Sequence, residues 1–339
     1  MRWTDDRRHR TLVFMKFSHP DAHAWRCPPA PTDVRDFHAS LPDYAPTPLT
    51  EVPGLAKELG VGRLFVKDES SRLGLPAFKA LGASWAVHRV LKDHIGQVTL
   101  TAATDGNHGR AVARAARTAG QKAHIFVPHN VPDQAVDAIR AEQAEVTVVN
   151  GTYDDAVEMA RKADGILVQD MGLPGYEEIP AWIVDGYGTL CAEIDEQLGD
   201  HPDLVVIPVG VGSFAQAVIT HYRGHDTKTR LVAVEPDTAA CVLESLRAGE
   251  RKTIPTGDTI MTGLNCGTPS TTAWPFLRNG LSAAVAISDA ECAKAVEDLR
   301  ANNVHSGPCG AAPLAGLRVL RDDLGPLGTV VLISTEGPR

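Results

Sequence analysis

The chain is short of aromatic residues, cysteines and positive charge, and each shortage removes a class of function. Aromatics make up 5% of its 339 residues, and the 33 lysines and arginines are outnumbered by 42 aspartates and glutamates, for a net charge of -9. That balance lacks the electrostatic footprint of a nucleic-acid binder, and no local basic run reverses it. The six cysteines, Cys27, Cys191, Cys241, Cys266, Cys292 and Cys309, are scattered and form no CxxC pair, which argues against a disulfide framework and against a zinc ribbon. They read as reduced thiols of a cytoplasmic protein. No apolar run nears the roughly 20 residues that span a bilayer. The opening "MRWTDDRRHR" leads into no apolar signal segment, and Met15 is an alternative start. Neither nucleic acid nor membrane is an expected partner. His124 and His129 have no partner at metal-ligand spacing, so no metal is expected either.

What is present is α/β grammar. With 43% hydrophobic residues, the chain can bury a large core, and its length predicts two lobes. Apolar, β-branched runs at residues 63–67, 97–104, 122–128, 145–150, 165–170, 203–209, 230–236 and 328–335 alternate with helical patterns such as "GNHGRAVARAARTAG" and "DDAVEMARKADG". Continuously apolar strands imply mostly parallel sheets covered on both faces. Residues 28–53, rich in proline, read as an extended strap.

Five places carry candidate chemistry. In "LPAFKALGAS" a single lysine, Lys79, stands in an apolar decapeptide. Pro76 prevents an earlier helix start, so Lys79 falls in the first turn of a helix, where the dipole disfavours a cation. Desolvation there would favour a Schiff-base lysine; the bland alternative is a lysine whose stem crosses apolar surface to reach water. In "VVIPVGVGSFAQAV" a strand runs through Gly210, Val211 and Gly212 into a helix opening with Ser213 and Phe214, a turn suited to a phosphate. Gly210, Gly212 and Ala215, with Glu235 ending the next strand, also match a dinucleotide fingerprint, so an NAD-dependent oxidoreductase is a rival. In "TAATDGNHG", Asp105, Asn107 and His108 gather at a strand's carboxyl end, as a ligand site or as a capped turn. Asp170 ends the run "GILVQD", as a catalytic acid or a turn former. Ser334 and Thr335 close the last apolar run and could face a heterocycle nitrogen or simply cap the strand.

The order of these parts, with "KDESSRLGLPAFKALGAS", "TDGNHGRAVA", "VQDMGLPGYEEIPAWIVDGYGTL", "TIMTGLNCGTP" and "STEG", resembles the fold-type II pyridoxal 5′-phosphate (PLP) enzymes, the tryptophan synthase β-like family. Within it the likeness is nearest to the ammonia-lyases of 2,3-diaminopropionate. The resemblance covers about residue 45 to the C-terminus. It implies a two-domain α/β fold, each domain a mostly parallel sheet flanked by helices, with the cofactor in the interdomain cleft. Residues 1–86 and 186–339 would form the large domain, 1–27 being an N-terminal extension, and 87–185 a small inserted domain. By resemblance, Lys79 would form the Schiff base with PLP and Asn107 would hold its 3′ oxygen. Gly210 to Phe214 would cradle the phosphate, and Ser334 or Thr335 would face the pyridine nitrogen. Asp105 and Asp170 would remove the Cα proton from D and L substrates respectively. The expected reaction is β-elimination of an amino-acid substrate, 2,3-diaminopropionate, to pyruvate and ammonia, by a homodimer. Within the family the alternative is a dehydratase of serine, threonine or a 3-substituted serine, and a non-catalytic relative is a further reading. In "SGPCGAA", Pro308 and Cys309 stand where the family tends to have a glutamate and a serine.

Overall fold

The computed structural model describes residues 16–225 and 227–338; Met15 and the charged segment before it lie outside the described residues. Numbered in chain order, the strands among them are β1 (Lys16–Ser18), β2 (Leu49–Glu51), β3 (Arg63–Asp68), β4 (Thr99–Ala103), β5 (Lys122–Pro128), β6 (Glu145–Val149), β7 (Ile166–Leu167), β8 (Leu204–Pro208), β9 (Arg230–Pro236), β10 (Ala283–Ile287) and β11 (Thr329–Ser334). The chain divides into two compact units. Ala30–Pro46 and Ser71–Leu190 form one, and the remaining described residues the other.

The second of these units is built on a seven-stranded sheet in the order β1-β10-β9-β8-β11-β3-β2. Its interior pairs are parallel, and the short edge strands β1 and β2 run antiparallel. Parallel strands covered on both faces must be apolar throughout, and β8 and β10 are buried at every residue. Val206, Val234, Val285 and Leu332 of the sheet share one core with Leu314 and Leu317 of the helix Pro308–Leu320. β10 is absent from the expected strands: "AAVAI" is mostly alanine, a weak strand former, and acquires its conformation from parallel pairing with β9.

The other unit holds a four-stranded parallel sheet in the order β6-β5-β4-β7. Two expectations need correction. The run 165–170 yields only the two-residue β7, and Asp170 stands three residues beyond it. Side chains take the ladder's place there: Gln169 N–H donates to Tyr176 Oη at 2.8 Å, and Ala103 N–H donates to Gln169 Oε1 at 3.0 Å. Within the supposed strap lies a helix, Asp33–Ala39, in the interval between Pro31 and Pro42 where no proline interrupts it.

Candidate active site

In the four-stranded unit, β4 and β7 pair in parallel with Thr101 opposite Leu167, so the loops that follow them leave the same edge of the sheet. The first loop runs through Gly106 into the helix Asn107–Thr118. Gly106 adopts φ +141°, a region open to glycine, and its N–H donates to Thr104 Oγ1 at 2.9 Å. Asp105 is exposed and Asn107 half-buried. His108 is buried, with Nε2 2.8 Å from the Val168 carbonyl oxygen. A carbonyl can only accept, so Nε2 carries the proton and Nδ1 faces Asp170 Oδ2 at 3.8 Å.

The second loop carries Asp170, whose Oδ2 accepts a hydrogen bond from Lys79 Nζ at 2.5 Å. Lys79 opens the helix Lys79–Lys92, as its sequence predicts, and its ammonium lies 5.2 Å from the Phe78 ring centroid and 5.9 Å from that of Tyr187. Burial pushes the Asp170 carboxyl up, but the Lys79 charge, His108 and the Lys79 hydrogen bond outweigh it and hold the group well below the usual carboxylate range. Burial also holds His108 below its ordinary value, more strongly than Asp170 pulls it up, so the imidazole is neutral at physiological pH. Lys79 therefore neither reaches for water alone nor faces the helix dipole alone; it has a fixed carboxylate partner.

In the seven-stranded unit, β8 ends at Pro208 and the chain turns through Gly210, Val211 and Gly212 into the helix Ser213–Gly224. Gly212 takes φ +96°, and a Cβ on it would lie 2.6 Å from Leu277 Cδ1; one on Gly210 would lie 3.0 Å from Cys266 Sγ. The turn thus shows bare peptide at the positive end of a helix dipole. Val211 is half-buried, while Ser213 and Phe214 are buried. β11 runs parallel to β8 with Leu332 opposite Val206, which brings Ser334 level with Pro208 at the same sheet edge. Ser334 is fully buried and donates to Ser306 Oγ at 2.7 Å; Thr335 is buried beside it. A Cβ on Gly310 would come 2.5 Å from Ser306 Oγ and 2.8 Å from Ser334 Oγ, so this glycine lets the hydroxyl pair close up. The departures at 308 and 309 serve the helix: Pro308 opens Pro308–Leu320, where its missing N–H costs nothing, and Cys309 joins the core.

Glu235 decides against the dinucleotide rival. It is fully buried, and its two carboxyl oxygens accept from the N–H groups of Val242 and Leu243, each at 2.7 Å. The acid that should meet a ribose is committed to starting the helix Cys241–Ala248. Sequence reasoning missed Tyr187 and Ser306 and gave His108 no role. Only Tyr187 had a local signal, the flanking glycines of "DGYGT".

By chemistry, these donors suit a phosphate-bearing aldehyde of a nitrogen heterocycle. The bare glycine turn suits the dianion, the Lys79 amine suits the aldehyde carbon, and a buried hydroxyl rather than a charge suits the ring nitrogen. Comparison with known proteins agrees. Residues 41–336 match the family model "Pyridoxal-phosphate dependent enzyme". Diaminopropionate ammonia-lyase of Salmonella typhimurium is 38% identical over 77% of this chain and 73% of its own length, and that of Escherichia coli is 36% identical over 89% and 80%. The crystal structure of the Escherichia coli enzyme with an aminoacrylate-PLP azomethine reaction intermediate superposes with a TM-score of 0.83 at 35% identity, covering 90% of this chain and 87% of that one. A fungal L-serine ammonia-lyase from Rhizomucor miehei follows at a TM-score of 0.77 and 26% identity, over 87% and 94%. The chain belongs to the pyridoxal-phosphate dependent enzymes of fold type II, and its cofactor is PLP.

Proposed function

We propose that this enzyme is an ammonia-lyase that eliminates the β-amino group of 2,3-diaminopropionate, releasing pyruvate and ammonia. The observation that carries the chemistry is the Lys79–Asp170 pair, an amine and a carboxylate 2.5 Å apart in a half-buried setting. The choice of substrate is supported by the likeness to the two bacterial diaminopropionate ammonia-lyases. Bound PLP supplies an electron sink for a carbanion at Cα. Lys79 tethers the cofactor and afterwards gives a proton to the leaving β-nitrogen. Asn107 holds the ring oxygen, the backbone from Gly210 through Val211, Gly212 and Ser213 to Phe214 holds the phosphate, and Ser334 or Thr335 faces the ring nitrogen.

Asp170 is the proposed base for L substrates and Asp105 for D substrates. While Lys79 is an ammonium, it keeps the Asp170 carboxylate ionised and weakly basic. That holds the carboxylate deprotonated and able to accept at the stage when a Cα proton must be taken. A homodimer in the cytoplasm is part of the proposal, carried by the resemblance alone.

The test is direct. Protein loaded with PLP should be yellow and release two ammonia per pyruvate from diaminopropionate; Lys79→Ala should lose both the Lys79-linked absorbance and at least 10³-fold in turnover, the scale on which removing a catalytic nucleophile acts. No ammonia from either enantiomer, with turnover of serine or threonine instead, overturns the substrate. Sedimentation at the mass of a single chain overturns the dimer.

A further inference from the structure

The helices Lys79–Lys92 and Glu178–Leu198 meet through two glycines. A Cβ on Gly82 would lie 2.5 Å from Tyr187 Cε1 and 2.8 Å from the Ile183 carbonyl oxygen, and one on Gly186 would lie 2.7 Å from the Leu81 oxygen and 2.8 Å from Gly82 Cα. Backbone therefore touches backbone, and no larger residue fits at either place. The close approach seats the next residue, Tyr187, against the first turn of the lysine helix. Its ring is fully buried and packs on Phe78 with centroids 4.7 Å apart at 53°, and Lys79 Nζ lies 5.9 Å from its centroid. The phenol thus lies on the ammonium's side of the packed ring pair, and burial pushes it well above its ordinary value and keeps it protonated.

From this geometry we infer that Tyr187 is a positioning residue for Lys79: its hydroxyl and Asp170 together receive the ammonium whenever an incoming amino acid displaces the lysine from the cofactor. The inference rests on the reading of Lys79 as the cofactor's lysine. In that exchange a bond from the cofactor carbon to the substrate nitrogen replaces the bond to Nζ. Nζ departs with the protons that the substrate ammonium brought, so one positive charge is transferred to Lys79. A charge set free in a half-buried site needs fixed oxygens around it. Asp170 provides one at 2.5 Å, and the Tyr187 phenol, on a buried ring whose centroid is 5.9 Å from Nζ, is placed to provide the second. Without the hydroxyl, the free ammonium is less favoured, and the lysine stays attached to the cofactor more often.

The experiment uses the full chain loaded with PLP, titrated with L-alanine, which carries no β leaving group, and followed by visible absorbance. Tyr187→Phe keeps the ring and removes only the hydroxyl. It should raise the alanine concentration at half-change about tenfold, the cost of one hydrogen bond to a charged group, while the melting temperature stays at that of the parent. An unchanged alanine titration overturns the inference. So does a shift matched by a large fall in melting temperature, since that is the mark of lost packing. A parent chain that takes up no PLP colour overturns the proposed function as well, and is recognised without any variant.

Discussion

At the scale of single residues, two carboxylates with unlike surroundings stand at one sheet edge. Asp105 is exposed, whereas Asp170 is enclosed by Lys79 and His108. Two acids in different environments can serve different roles at one pH. Asp170→Asn should lower turnover of L-diaminopropionate by about 10²–10⁴-fold, the usual contribution of a general base, and spare the D enantiomer. Asp105→Asn should do the reverse. Steady-state ammonia release from each enantiomer decides it, and an equal loss for both enantiomers in either variant would remove the division of labour. His108 adds order on this edge. Its Nε2–H fixes the Val168 carbonyl, and burial holds its ring below its ordinary value.

At the scale of elements, glycine placement decides what the strand-to-helix turns can present. Gly212 has both a left-handed φ of +96° and a neighbour, Leu277, 2.6 Å from where a Cβ would sit. Gly249 shares the backbone region, with φ +71°, but has nothing within 4 Å. Gly212→Ala should therefore cost about 1–3 kcal/mol and weaken PLP binding at least tenfold, since the turn must shift to admit the methyl. Gly249→Ala should cost only about 1 kcal/mol and leave PLP affinity unchanged. Titrating the cofactor-free chains with PLP separates the two. Equal affinities would show that the glycine turn is a packing device and not a phosphate cradle.

At the scale of the whole molecule, each unit wraps a mostly parallel sheet whose carboxyl edge carries polar groups, and burial of those groups makes stability depend on pH. Burial pushes Glu235 from 4.5 up to about 8, against the N–H groups of Val242 and Leu243, which pull it down. The folded chain thus holds a proton that the unfolded chain releases above 4.5. The stability due to this group is complete below the unfolded value, and declines as pH rises from there through about 8. Melting temperature should accordingly fall between pH 5 and 8 with a contribution of one proton, and Glu235→Gln should flatten that part of the curve. A variant whose slope equals the parent's would mean that Glu235 is ionised throughout, held by its two backbone donors.

The sequence by itself determined the alternation of parallel strands and helices, because doubly covered strands need unbroken apolar runs and leave a legible record. It placed Lys79 in the first turn of a helix, since Pro76 bars an earlier start, and the helix does open there. It marked the glycine turn at 210–212, where only glycine accommodates the packing. Tertiary structure decided what each marked residue touches. Only folding showed that Lys79 is paired with Asp170, that Ser334 meets Ser306, and that Glu235 turns inward to a helix. It likewise reduced the run at 165–170 to a two-residue strand and drew an alanine-rich segment into the sheet as β10. Each of these depends on groups far apart along the chain, and local pattern carries no information about which distant partner will satisfy a buried donor or acceptor.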